Sequence, residues 1–343
     1  MAKQHKQLQA ALLLAVVALL LAFWGGRLAH AENSGIFTVV MENDVLHNAD
    51  RHFTHGSRFS YYSEKSRDDW VSRTAELMPW FSLDTDQELW RSSIAIGQNI
   101  YTPSDISVSH LQTDERPYAG YLYLGLGAVR VVSGEEPGTG MVGSFELQLG
   151  VVGPWARARD VQTWWHSEVI SADRPEGWDH QLRNEFTVNL YWDRQWRYSL
   201  AESGRAGVDL VPHAGLALGT VATHLAGGLT WRLGKGLGND NGPPRIRPSL
   251  PGAGYFVKTS KVQGYFFAGG EIRLVGRNIF LDGNTFRSSH RVSRKTVVFD
   301  LQYGLVISYR KVKFALTNIA RGREFEGQPS PDFFTAFSFS YQH

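Results

Sequence analysis

The sequence predicts an all-β protein: a single antiparallel transmembrane β-barrel of about twelve strands with a short helix in one connection. Three observations predict it. Long segments alternate apolar and polar side chains with period two, these segments approach the length needed to cross a bilayer, and the amino terminus carries an export-type apolar run. The abundance of glycine (Gly 35) and aromatics (Trp 11, Tyr 13, Phe 19) favours strands joined by tight turns over helices.

At the amino terminus, Lys3 and Lys6 precede the apolar run Ala10–Trp24, which Gly25 and Gly26 break. Ala29-His30-Ala31 then sets small residues at the two positions read by a signal peptidase. The run is shorter than the roughly 20 residues of a spanning helix. Residues 1–31 are therefore expected to be a cleaved signal peptide, and residues 32–343 a single barrel domain. No later stretch reads as a transmembrane helix, so membrane residence requires a barrel.

Alternation is plainest over Thr187–Leu200. Val188, Leu190, Trp192, Arg194, Trp196, Tyr198 and Leu200 fall on one face, and Thr187, Asn189, Tyr191, Asp193, Gln195, Arg197 and Ser199 on the other. Val297, Phe299, Leu301, Tyr303, Leu305, Ile307 and Tyr309 form a second apolar face opposite Asp300, Gln302 and Ser308. A soluble sandwich also alternates, but its strands run about five or six residues. These run longer, as tilted membrane strands do. The expected strands are 35–42, 54–64, 90–101, 118–133, 140–155, 182–200, 207–219, 221–234, 262–278, 292–309, 311–321 and 332–342. Residues 65–89 and 234–261 read as long loops, which on such barrels usually face outward.

Composition excludes several functions. Lys+Arg 35 against Asp+Glu 33, a formal charge of +2, gives no reason to expect a nucleic-acid partner. The cysteine count of 0 rules out disulfide scaffolds, thiolate metal sites and a cysteine nucleophile. Nothing in the sequence specifies an oligomeric state.

Two groups of residues carry chemistry. Trp155–Ile170 loses the alternation and lacks Gly and Pro, so it reads as a helix of three or four turns between the fifth and sixth strands. Gln162 and His166, four apart, share one face of it. A neutral imidazole is a base suited to activating water near pH 7, although a loop histidine on a helix is more often a surface residue. At the end of the first strand, Asn43-Asp44 supplies hard oxygen donors, which suit calcium more than zinc; an Asx turn is the plainer reading. His52 and His55 are weak grounds for a zinc pair.

Taken together the motifs resemble those of the outer-membrane lipid A 3′-O-deacylases. Glu42-Asn43-Asp44, then Asp50-Arg51-His52-Phe53-Thr54-His55-Gly56, is similar to the amino-terminal signature of that family. Gln98–Ser104, Glu115-Arg116-Pro117-Tyr118-Ala119-Gly120, Gly153-Pro154 with Gln162 and His166, and Gly177–Leu182 follow in the family's order. The resemblance spans about residues 36–190 and implies a twelve-stranded barrel in the bacterial outer membrane that acts on lipid A of lipopolysaccharide. It implies His166 as the base for an attacking water and calcium as oxyanion stabiliser. It also places Asn43, Thr54 and Gln162 in the site, with Asp44 and Asn43 toward the metal. Some members carry a lysine after the third motif. Asp105–His110 contains none, and Arg116 is the candidate to replace it. The polar lumen would surround these groups, and basic loop residues (Arg245, Arg247, Arg287, Arg291, Arg294, Lys295) would meet lipid A phosphates or remain solvated.

Two other classes stand beside the hydrolase. One is a non-catalytic outer-membrane pore or structural barrel, which would need neither the helix nor the Asn43-Asp44 strand end. The other is a serine-dependent phospholipase, which the lack of a Gly-x-Ser-x-Gly elbow does not exclude.

Overall fold

The computed structural model describes residues 35–44, 51–63, 73–74, 88–134, 139–170, 173–202 and 206–343. The expected signal peptide lies outside them. Twelve strands close into one antiparallel barrel, each paired with its sequence neighbour and β1 with β12. They are β1 Ile36–Asn43, β2 His52–Tyr62, β3 Glu88–Thr102, β4 Ala119–Ser133, β5 Gly140–Val152 and β6 Glu185–Glu202. Then follow β7 Gly207–Gly219, β8 Ala222–Gly234, β9 Thr259–Asn278, β10 Val297–Arg310, β11 Val312–Arg321 and β12 Asp332–Gln342. Closure runs from Ile36 opposite Gln342 to Asn43 opposite Thr335. No edge is left to pair with another chain.

The alternation is read out as expected, with the apolar face outward. Phe186 and Val188 on β6 and Val297, Phe299, Leu301 and Tyr303 on β10 are exposed, whereas Thr187, Asn189, Asp193, Asp300 and Gln302 between them are buried. That inverts a soluble protein and suits a wall whose solvent is lipid. Among the described residues no helix is long and apolar enough to span a membrane.

Odd-numbered strands end at one rim and even-numbered strands at the other, the terminal rim, which also holds the start of β1 and the end of β12. The connection 235–258 follows β8 and therefore leaves from the terminal rim. It does not face outward as a surface loop: it folds into the lumen. Arg245 Nε donates to Glu42 Oε1 at 2.6 Å, its Nη1 to Gln302 at 3.0 Å, and the Ile246 N–H to Glu42 Oε1 at 2.9 Å. Arg247 is ion-paired with Asp193. Lys313 Nζ donates to the carbonyls of Ala253 and Tyr255. Arg245 and Arg247 are thus neutralised inside the barrel and are not placed to meet a phosphate outside. Arg273 and Arg321 share Asp300, and Arg232 bridges Asp209 and Asp240. Burying a charge costs several kcal/mol unless it is paired, which is why these side chains come in interlocking sets. The interior is a packed polar core closed by a strap of chain.

Candidate active site

At the rim opposite the termini, period two sends Glu42 inward to Arg245 and Asn43 outward. On β2 the register slips between Phe53 and His55, leaving Thr54 as the extra residue of a bulge. Phe53 turns inward to pack on Tyr101 and Phe334. Asn43 Nδ2 donates to the Thr54 carbonyl at 3.0 Å and approaches His55 Nδ1 at 3.5 Å. Thr54 Oγ1 lies 2.8 Å from Thr102 Oγ1, and the Arg51 N–H donates to Asp44 Oδ2 at 2.8 Å. Asn43, Asp44 and Thr54 therefore form one small polar group at the strand end.

The connection between β5 and β6 lies against the outer face of the same wall. Pro154–Ala156 makes one 3-10 turn, helix α1 runs Ala158–Trp164, and a π-helical turn covers Trp165–Ile170. The predicted single helix is thus three pieces, hinged at Arg157 in the left-handed region (φ 57°). Its position follows from β3. Ile94, Ile96 and Ile100 share the outward face, yet Ile94 and Ile96 are 49% and 53% exposed and Ile100 is 1% exposed. Ile100 is covered by Ala158, Val161, Trp178 and Tyr118. Gly120 permits this approach, because a Cβ there would lie 2.5 Å from the Ala158 Cβ. Gln98 Nε2 donates to the Ala156 carbonyl at 2.7 Å.

His166 is buried, and its Nδ1–H donates to the Asp173 carbonyl at 2.6 Å. A carbonyl oxygen only accepts, so this bond keeps a proton on Nδ1, and in the neutral ring Nε2 is then the basic nitrogen. Gln162 is buried one turn earlier; its Oε1 accepts from Trp178 Nε1–H at 2.9 Å. That commits the amide oxygen, while the buried Nε2 makes no hydrogen bond among the described residues. Such a donor suits an oxygen that arrives with a ligand. A π-helical turn at His166 is also a frequent feature of functional sites. Helix and strand end meet through Trp165, whose ring stacks on His55 at 6.1 Å.

The helix that carries Gln162 and His166 packs on the outward face of β3 and β4 rather than in the lumen, which revises the expectation of lumenal surroundings. Arg116 does not stand in for the family lysine either. It is fully buried, held over the Tyr101 ring and paired with Glu324 at 3.1 Å. His52 points to Asp332 and Glu115, and His55 to Asn43 and Ser57, so the two histidines are no metal pair. His55, Trp165, Trp178 and the Asp173 carbonyl were missed as site residues. A tryptophan pair in an otherwise polar connection was the available signal for Trp165.

For a cation, the strand end offers the Asp44 carboxylate and the Asn43 amide oxygen, both hard donors of the kind calcium takes along with waters and carbonyls. Among the described residues no group of three or more His, Asp or Glu is arranged to hold a metal ion, so carbonyls and waters would have to complete a calcium shell around Asp44 and Asn43. The donor chemistry fits calcium.

A closed barrel with a lipid-facing wall and a polar cleft at its rim is an outer-membrane protein built around a site. A family model described as outer membrane protein LpxR matches residues 12–343, and the chain belongs to that family. Among solved structures, LpxR from Salmonella typhimurium is 22% identical, with TM-score 0.69, covering 89% of this chain and 99% of its own. The β domain of the Bordetella autotransporter Brka is 9% identical, with TM-score 0.48, covering 91% and 100%. No curated protein sequence matches the chain. The first of these structures shares the fold, and the family places this protein in the bacterial outer membrane.

Proposed function

We propose that the protein is an ester hydrolase that removes the 3′-acyloxyacyl group of lipid A, with His166 as base and calcium at Asp44 and Asn43. The observation that carries this reading is a buried imidazole of defined tautomer on the outer side of the wall, joined to the Asn43 strand end through the Trp165–His55 ring contact. A lipid ester can reach such a site from the outer leaflet without entering the barrel.

His166 Nε2 takes a proton from a water whose oxygen attacks the ester carbonyl carbon. Gln162 Nε2–H donates to the carbonyl oxygen as it gains negative charge. The tetrahedral species then collapses, the sugar oxygen leaves, and the His166 imidazolium returns the proton to it. The acyl product forms as the carboxylic acid and ionises by giving its proton to solvent. A bound calcium would add positive charge at the carbonyl oxygen and stabilise the oxyanion. Asp44 is oriented for that ion by the Arg51 amide, and Asn43 by the Thr54 carbonyl.

The test is mass spectrometry of lipid A from membranes containing wild type or His166→Ala, with calcium or chelator. Loss of an acyloxyacyl mass is expected in wild type with calcium and not in the variant. A rate reduced by about 10²–10⁴ is the usual cost of losing such a base. An active alanine variant would remove His166 from the mechanism, and full activity in chelator would remove the metal. The packed interior disfavours a pore, and no observation favours a serine nucleophile.

A further inference from the structure

His52 begins β2 in the left-handed region (φ 61°) and is 0% exposed. A residue other than glycine stays there only when its surroundings over-determine it. Nδ1 lies 2.8 Å from both carboxylate oxygens of Asp332, and Nε2 lies 3.2 Å from Glu115 Oε2. Carboxylates only accept, so both ring nitrogens donate and the ring is an imidazolium.

The surrounding groups are specific. Arg51 reaches Asp332 at 3.4 Å and Gln328 donates to it at 3.0 Å. Ser104 donates to Glu115 through its N–H and hydroxyl, and His290 Nε2–H donates to the Glu115 carbonyl. Arg116 pairs with Glu324, and the Phe325 ring meets the imidazole edge-on. Three cations (Arg51, Arg116 and the imidazolium) face three carboxylates (Glu115, Glu324 and Asp332). Four connections meet at this cluster: those before β2, β4, β10 and β12.

We propose that His52 is a positioning residue, which clamps the start of β2 so that the adjacent Arg51 N–H holds Asp44 Oδ2 in the working orientation. The assignment of Asp44 rests on the hydrolase reading, but the clamp itself does not. Hydrolysis as derived above makes no use of His52, and nothing in that mechanism requires a buried imidazolium here. Raising the pH until the ring loses a proton leaves one carboxylate facing a lone pair. The clamp then opens, and Asp44 loses its fixed donor.

The test uses the full-length barrel in detergent micelles, with His52→Gly and Glu115→Gln. Glycine adopts φ 61° without strain, so His52→Gly removes the ring and keeps the backbone conformation accessible. Amide hydrogen exchange at Arg51, expressed against its intrinsic rate at each pH, reads the clamp independently of activity. Protection at Arg51 is expected to fall at least about tenfold in His52→Gly. In Glu115→Gln, one carboxylate no longer holds the proton, and the pH at which protection and hydrolysis are lost is expected to fall by about one unit. Wild-type protection at Arg51 in His52→Gly, or an unmoved alkaline limit in Glu115→Gln, overturns the proposal. So does a uniform loss of protection across the barrel with no local effect at Arg51. If Arg51 behaves as expected and wild type hydrolyses nothing, the hydrolase reading fails and the clamp stands.

Discussion

Trp165 stacks on His55 with ring centroids 6.1 Å apart and planes 29° from parallel. Trp165 adjoins His166 in the chain, and His55 adjoins Asn43 in space, so this ring pair joins the two halves of the cleft. A geometric error of about 1 Å between reacting groups can cost a hundredfold in rate. Trp165→Ala is therefore expected to lower hydrolysis about ten- to a hundredfold and leave the barrel's thermal unfolding midpoint unchanged. Trp165→Phe should retain most of the activity. Assay and melting curve on the same preparations check both.

Gly120 is one of the points at which the connection carrying the helix touches the wall. Gly120→Ala would set a Cβ 2.5 Å from the Ala158 Cβ and 3.1 Å from the Ala156 Cβ. Overpacking of this kind costs about 1–3 kcal/mol, and the helix, more weakly held than the sheet, should be what moves. Activity should fall at least tenfold, and Ala158→Gly added to Gly120→Ala should restore much of it. A double-mutant cycle with no coupling would disprove the contact.

The lumenal strap depends on buried charge pairs. Removing Arg245 leaves Glu42 buried and uncompensated, a defect worth about 3–5 kcal/mol. Arg245→Ala should lower the unfolding midpoint and raise single-channel activity in planar bilayers above a nearly silent wild type. The paired replacement Glu42→Gln with Arg245→Met should recover much of the stability. A freely conducting wild type would instead revive the pore.

Acid should loosen the mouth of the barrel. Burial pushes the Glu115 carboxyl up, but the His52 hydrogen bond and charge, with bonds from Ser104, outweigh it and hold the group below the usual carboxylate range. A carboxyl lowered by folding stabilises the fold above its ordinary pKa, and that contribution is lost as pH falls through the lowered value. Local opening of the connections before β4 and β12, followed by hydrogen exchange, should rise below about pH 4. Glu115→Gln should show no such acid step there.

The strands were legible because their signal is local. Whether Val297 or Val298 meets lipid is decided by period two within β10, and the run Val297–Tyr309 carries that pattern unaided. The approximate strand limits and the helical character near His166 were legible for the same reason.

What covers each outward residue, and where the connections fold, was not legible. Ile94 and Ile100 are equivalent in the pattern, and only the packing of Ala158 and Trp178 buries the second. Arg245 looked like any loop cation until the fold brought it to Glu42, 203 positions away in the chain. Arg116 looked available and is sealed against Tyr101 and Glu324.

The sequence by itself determined a wall of about twelve strands with one apolar face and a helical stretch between β5 and β6, and its family resemblance pointed to His166, Gln162, Asn43 and Asp44. Tertiary structure alone decided that the helix lies on the lipid side, that the Asp173 carbonyl sets the His166 tautomer, and that the interior is filled. Periodicity is a property of neighbours along a strand. Pairing of buried charges and stacking of rings depend on closure of the barrel, which brings together residues the chain keeps far apart.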